Sequence, residues 1–131
     1  MRIQPLALSM GDPAGIGPEI TVKAWRALRA TGPAFMVVGD NEVFGAAVLG
    51  GEVPLKRVAG AHEAEAVFAE ALPVLDLPLQ QTAVAGHADP AHAPAVIRWI
   101  ETAAITLVIA GVALHHPAHP ANRKKEVTSN A

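Results

Sequence analysis

The segment Gly11-Asp12-Pro13-Ala14-Gly15-Ile16-Gly17-Pro18-Glu19 holds three glycines, two prolines and two carboxylates in nine residues. An apolar run at residues 5–10 precedes it, and an amphipathic helical pattern follows from Ile20. A strand, a glycine-rich loop and a helix in this order bring backbone N–H groups to the positive end of a helix, where an anionic group can bind. The segment is therefore either a ligand-binding loop or a structural tight turn. Asp12 favours the ligand loop, because a ribose, an amine or a metal can use a carboxylate.

The glycine spacing excludes two common phosphate-binding motifs. Glycines at positions 11, 15 and 17 do not match the dinucleotide fingerprint G-x-G-x-x-G. The Gly-Lys-Ser/Thr sequence of a P-loop does not follow either.

Alternating strand and helix patterns predict an α/β domain with a mainly parallel sheet and flanking helices. We expect buried strands at 6–10 and 34–38, and further strands at 53–58, 72–77 and 112–114, with Pro54 placing the third at an edge or a strand start. Helices are expected at 18–29, from Asp40 or Asn41 to about residue 49, and from about residue 90 to Gly111. The first of them should place Ile20, Ala24 and Leu28 on its apolar face. Residues 59–71 predict either a short helix or an ordered loop. A ligand site should lie beyond the carboxyl ends of the strands, beside the loop at 11–19.

Composition narrows the class of protein. The chain has 131 residues, 51% of them hydrophobic, a net charge of -2 and no cysteine. These values indicate one domain without disulfides or cysteine metal sites, and they do not favour a nucleic-acid partner. The N-terminus lacks the pattern of a signal peptide, and the uncharged run at 102–114 is shorter than the roughly 20 residues of a membrane span. We expect a cytoplasmic protein without membrane contact.

Residues 10–20 (MGDPAGIGPEI) resemble the N-terminal signature of the 4-hydroxythreonine-4-phosphate dehydrogenase family of vitamin B6 biosynthesis. The string GIGPE at 15–19 is similar to one in the isocitrate and isopropylmalate dehydrogenases, which share that fold. Residues 37–40 and 95–101 are also similar to the family, so the resemblance covers roughly residues 5–114. It implies a truncated form of the isocitrate/isopropylmalate dehydrogenase-like fold.

The resemblance also implies an activity and its cofactors. Family members oxidise 4-phosphohydroxy-L-threonine to a 2-amino-3-oxo acid that decarboxylates, using NAD or NADP and a divalent metal, and they act as homodimers. Asp12, Gly15, Ile16 and Gly17 would then bind the coenzyme. The segments that carry the family's metal ligands and most of its substrate contacts have no counterpart in residues 1–131, so we assign no catalytic or metal-binding residue and expect this chain alone to be inactive. The alternative is a non-catalytic α/β remnant that serves as a binding or dimerisation piece, or is an unstable product.

The C-terminal segment departs from the family pattern. We expect an α/β portion at 1–114 and a divergent, poorly ordered tail at 115–131, where a Thr-x-Pro-Ile-x-Lys type loop should follow. A shifted reading frame is our hypothesis for the tail. His115, His116 and His119 could form a metal site, but Pro117 and Pro120 disfavour a helix there and a solvated tail is the simpler interpretation. The remaining histidines, at 62, 87 and 92, are predicted to lie at the surface.

Overall fold

The computed structural model describes residues 4–46 and 53–115, with side chains up to residue 106. It contains a four-stranded sheet with helices packed against it, so the predicted α/β class is confirmed. The strands are β1 (Leu6–Ser9), β2 (Phe35–Gly39), β3 (Leu55–Arg57) and β4 (Leu72–Asp76). The helices are α1 (Gly17–Leu28), α2 (Asn41–Ala46), α3 (Ala61–Val67) and α4 (Ala93–His115), and a short 3-10 helix at Pro90–His92 leads into α4.

All strand pairs of the sheet are parallel, in the order β1-β2-β4-β3. The inner strand β2 is buried along its whole length, as expected for an apolar run in a parallel sheet. Strand β3 lies at an edge, which is one of the two positions that Pro54 indicated. The prediction of a buried first strand was wrong, because within the described residues β1 pairs only with β2 and Leu6 remains 47% exposed.

Two buried tryptophans join the helices to the sheet and its loops. The Nε1–H group of Trp25 on α1 donates to the carbonyl oxygen of Phe68 at 2.8 Å. The Nε1–H group of Trp99 on α4 donates to the carbonyl oxygen of Leu77 at 2.9 Å. Each indole thus buries a large apolar surface while its polar group keeps a partner, which makes both side chains strong determinants of packing. The Phe68 ring also packs edge-to-face on Phe35, with centroids 4.9 Å apart.

Helix α1 buries a different face from the one predicted. Its buried residues are Pro18, Thr21, Val22 and Trp25, whereas Ile20 is 54% exposed. The buried stripe has the normal helical spacing, but it starts at Pro18 in the first turn. Sequence periodicity identified the helix without fixing its rotation about the axis.

Helix α4 is longer than predicted. It continues through Gly111 to His115, so the predicted helix end at Gly111 and the strand at 112–114 were wrong. One glycine in a helix interior costs only about 1 kcal/mol relative to alanine. The next proline is Pro117, so the sequence offers no strong helix breaker at 111. The predicted end of the second helix near residue 49, and the tail beyond residue 115, lie outside the described residues.

No helix formed by residues 4–46 and 53–115 is both long and apolar enough to cross a membrane.

Candidate functional site

The glycine-rich segment forms a tight turn that is held by its own backbone. Gly11 adopts a φ of 75°, in the left-handed region that favours glycine. The N–H group of Ala14 donates to Asp12 Oδ1 at 2.9 Å, and the N–H group of Gly15 donates to the Asp12 carbonyl oxygen at 3.0 Å. Asp12 therefore has a structural role in the turn in addition to any role toward a ligand.

Close packing requires glycine at two positions beside this turn. A Cβ atom at Gly17 would collide with the backbone carbonyl oxygen of Met10. A Cβ atom at Gly39, at the end of β2, would lie 2.6 Å from the Met10 Cβ atom. These contacts press the start of α1 against the ends of β1 and β2. Among the residues that the structure describes, no side chain caps the N-terminus of α1 by a hydrogen bond, and Glu19 lies in its first turn.

Asp40 connects three segments around the carboxyl ends of the strands. Its side chain is 7% exposed. Its Oδ1 atom accepts hydrogen bonds from the N–H groups of Glu42 at 2.8 Å and Val43 at 3.4 Å, so Asp40 caps α2, for which the sequence left Asp40 or Asn41 as the start. Its Oδ2 atom accepts from the N–H group of Leu79 at 2.7 Å, which anchors the chain after β4. One carboxylate thus orders α2 and the loop that leads toward α4.

A second contact joins that later loop to the glycine-rich turn. The N–H group of Gly86, which has a φ of 80°, donates to the carbonyl oxygen of Ala14 at 2.8 Å. The positive φ lets the chain reverse at this point, as glycine allows. The two loops therefore form one continuous wall.

These segments enclose a cleft of about 450 Å³ at the carboxyl ends of β1, β2 and β4. This is the sheet edge where the sequence places a ligand site, and the volume lies within the usual range for small-molecule sites. The walls combine apolar side chains with carboxylates and amides. The lining residues are Pro13, Gly15, Pro18, Glu19, Asp40, Glu42, Val43, Ala46, Leu79, Gln80, Gln81, Thr82, Ala83 and Ala85.

The predicted coenzyme residues differ in their relation to the cleft. Gly15 lines it, whereas Asp12, Ile16 and Gly17 do not. Ile16 is 69% exposed beside the cleft wall. Sequence reasoning assigned no ligand role to Asp40, Glu42 or the polar run at 80–82. A signal for that run was available, since polar residues a few positions after a parallel strand lie near the ligand-binding edge.

His92 corrects one of the surface predictions. Its side chain is only 3% exposed, and neither Nδ1 nor Nε2 has a hydrogen-bond partner among the described residues. His62 and His87 are exposed, as predicted. His92 ends the 3-10 helix that leads into α4, and its side chain is buried there.

The described residues do not fit a metal centre. Residues 4–46 and 53–115 contain no group of three or more histidine or carboxylate side chains placed to share a metal ion. His116 and His119 lie outside this part of the chain. The metal implied by the family resemblance therefore has no ligand set among the described residues.

No family model matches the chain. A 4-hydroxythreonine-4-phosphate dehydrogenase of Caulobacter vibrioides is 53% identical over 102 residues, which cover 78% of this chain and 30% of that protein. The enzyme of the same name from Xanthobacter autotrophicus is 50% identical over 110 residues, covering 82% of this chain and 31% of that protein.

Solved structures show the same likeness in three dimensions. The crystal structure of a 4-hydroxythreonine-4-phosphate dehydrogenase from Burkholderia phymatum has a TM-score of 0.70 at 26% identity, over 85% of this chain and 34% of that one. The Klebsiella pneumoniae enzyme has a TM-score of 0.64 at 27% identity, over 83% and 34%. The chain spans about one third of the length of these relatives. Its resemblance to the 4-hydroxythreonine-4-phosphate dehydrogenases is thereby confirmed over most of its own length.

Proposed function

We propose that this chain is part of an NAD- or NADP-dependent oxidoreductase of pyridoxine biosynthesis that acts on 4-phosphohydroxy-L-threonine. The observation that carries the proposal is the cleft at the carboxyl ends of the strands, in a chain 53% identical to a 4-hydroxythreonine-4-phosphate dehydrogenase. Its part in the enzyme is to bind the coenzyme. The bound coenzyme would accept hydride from the substrate's secondary alcohol.

The residues of the cleft fit a nucleoside portion of a dinucleotide. Gly15 presents a wall without a side chain, so a ligand can approach the backbone closely. Exposed Ile16 offers apolar contact beside it, and Asp12 and Gly17 hold the turn in shape. Gln80, Gln81 and Thr82 supply hydrogen-bonding groups on the opposite loop. We therefore keep Asp12, Gly15, Ile16 and Gly17 as the proposed coenzyme-binding set.

The metal-assisted step does not belong to this part of the enzyme in our proposal. The described residues offer no metal ligand set, so the polarisation of the substrate oxygens needs groups outside them. We propose a homodimeric enzyme with residues 1–114 as an α/β portion and 115–131 as a separate tail. The chain alone should bind coenzyme without oxidising the substrate.

A non-catalytic dimerisation piece is the second candidate, and one observation favours it. Ile97, Ile100 and Ile105 on α4 are each more than half exposed. Large apolar side chains that share an exposed helix surface favour protein association. This candidate differs from the first because it requires no coenzyme binding.

Titration calorimetry of the 131-residue chain with NAD and NADP tests the proposal. We expect binding that Gly15→Val weakens, because Gly15 lines the cleft and a Cβ atom there would already lie 3.4 Å from Asp12 of the turn, so the larger side chain must disturb the turn or narrow the cleft. Gly60→Ala is the matched control, since a Cβ atom there meets nothing within 4 Å. An assay with 4-phosphohydroxy-L-threonine, coenzyme and divalent metal should show no turnover. Failure of both coenzymes to bind would reject the proposal in favour of the dimerisation piece.

A further inference from the structure

Residues 80–88, which we call the strap, form an exposed segment along one wall of the cleft. Within the strap Ala83 is half-buried, and the other residues are exposed. Five residues of the strap line the cleft, namely Gln80, Gln81, Thr82, Ala83 and Ala85. A movement of the strap would therefore change the width of the cleft.

The strap is held at both of its ends. Before it, the N–H group of Leu79 donates to the buried carboxylate of Asp40 at 2.7 Å. After it, Asp89 Oδ1 accepts a hydrogen bond from the N–H group of Ala91 at 2.9 Å, and the side chain of His92 is buried. Hydrogen bonds to a charged acceptor are stronger than neutral ones. The flanking segments are therefore held more firmly than the residues between them.

One neutral hydrogen bond joins the strap to the glycine-rich turn. Among residues 4–46 and 53–115, the bond from the N–H group of Gly86 to the carbonyl oxygen of Ala14, at 2.8 Å, is the one hydrogen bond between the strap and another segment. The bond from the N–H group of His87 to the carbonyl oxygen of Val84, at 3.0 Å, lies within the strap. Because Gly86 is exposed, water can replace its bond to Ala14, and such a bond adds little net stability.

We infer that the strap opens and closes over the cleft, with hinges at Leu79 and Asp89 and with the bond from Gly86 to Ala14 holding the closed form. Local opening is favoured where a segment has few buried contacts and exposed backbone hydrogen bonds. In the open form the cleft loses the wall that the strap provides, so that a larger molecule can enter. The inference goes beyond the proposed function, because the strap moves in the chain without a ligand.

Exchange of backbone amide hydrogens with solvent, measured residue by residue by NMR on the chain alone, tests the inference. The Gly86 amide should be protected only about two- to fifteenfold relative to an unstructured chain, which corresponds to the net strength of one such bond. The amides of Leu79 and Met10 should be protected on the order of a hundredfold more strongly than that of Gly86. The first donates to Asp40, and the second donates to the carbonyl oxygen of Val38 in the core.

Gly86→Ala should shift the equilibrium toward the open form. The φ of 80° at this position disfavours alanine, although a Cβ atom there meets nothing within 4 Å. Exchange at residue 86 should rise about two- to tenfold, to the rate of an unstructured chain, as the closed form becomes less populated. The Gly15 amide, which bonds within the glycine-rich turn, should keep its wild-type rate. Gly60→Ala is the matched control, since it adds the same methyl group in open space at an extended φ of 178°.

Protection of Gly86 as strong as that of Met10 would overturn the inference, because the strap would then open only when the whole fold unfolds. Equally weak protection of Gly86 and Leu79 would also reject it, because Leu79 would not be a fixed hinge. Faster exchange at Gly15 in Gly86→Ala would show that the turn opens together with the strap, which contradicts a hinged movement. The wild-type pattern decides the inference by itself if Gly86→Ala does not fold. No coenzyme is present, so the result is independent of the proposed function.

Discussion

The carboxylate of Asp40 at the end of β2 accepts a hydrogen bond from the backbone N–H group of Leu79, thirty-nine positions later, at 2.7 Å. The same carboxylate caps α2 through Glu42. One buried side chain therefore sets the spacing between two walls of the cleft.

Replacement of Asp40 by alanine should lower the free energy of unfolding by about 2–3 kcal/mol, because buried N–H groups lose a charged acceptor. Urea denaturation followed by tryptophan fluorescence measures the change. Asp89→Ala is the control, since Asp89 caps only the exposed start of the 3-10 helix. An equal decrease in the free energy of unfolding for both variants would mean that Asp40 stabilises the fold no more than the exposed cap of the 3-10 helix does.

Trp99→Phe should lower the free energy of unfolding by about 1–3 kcal/mol, since it leaves the carbonyl oxygen of Leu77 without its indole donor. Thermal denaturation at several urea concentrations checks the value. A change below about 0.5 kcal/mol would mean that water replaces the donor without cost.

Gly17→Ala and Gly45→Ala should act in opposite directions. The first places a Cβ atom against the Met10 carbonyl oxygen, so either α1 or β1 must shift. The second adds a methyl group in open space on α2, where alanine is favoured over glycine by roughly 0.5–1 kcal/mol. Melting temperatures should therefore fall for Gly17→Ala and rise slightly for Gly45→Ala. Equal shifts would contradict the close approach of α1 to β1.

The exposed isoleucines on α4 should make the chain associate at high concentration. Sedimentation velocity should show species larger than a monomer, and a triple change of Ile97, Ile100 and Ile105 to glutamine should reduce them. Val84→Gln is the control, because Val84 is comparably exposed (55%) but lies on the 80–87 loop. A monomer at every concentration in the wild-type protein would rule out association through this surface.

Much of the fold was predictable because local patterns determined it. The apolar run at 34–38 predicted β2, and the sequence placed the start of α2 at Asp40 or Asn41, of which Asp40 provides the cap. Local patterns do not encode lateral order in the sheet, so the edge position of β1 was missed. The predicted end of α4 at Gly111 was wrong for a different reason, because one glycine is a weaker helix stop signal than proline.

The candidate site was less predictable, because its walls come from distant parts of the chain. The glycine-rich turn was evident as a motif, and the sheet edge followed from the α/β pattern. The bond from Asp40 to Leu79 joins segments whose proximity depends on β4 pairing with β2. Burial of His92 likewise depends on how the segment around α4 packs on the sheet, which histidine spacing does not reveal.

The hydrogen bond between Gly86 and Ala14 has a consequence for the chain during its synthesis. The glycine-rich turn is translated early, but the wall that completes its cleft arrives only with residues 79–86. A nascent chain that ends before this point exposes the ends of β1 and β2 without a finished pocket. Contacts between residues so far apart in sequence form late and slowly. A ligand of this cleft would therefore find a complete site only after the later loop has emerged from the ribosome.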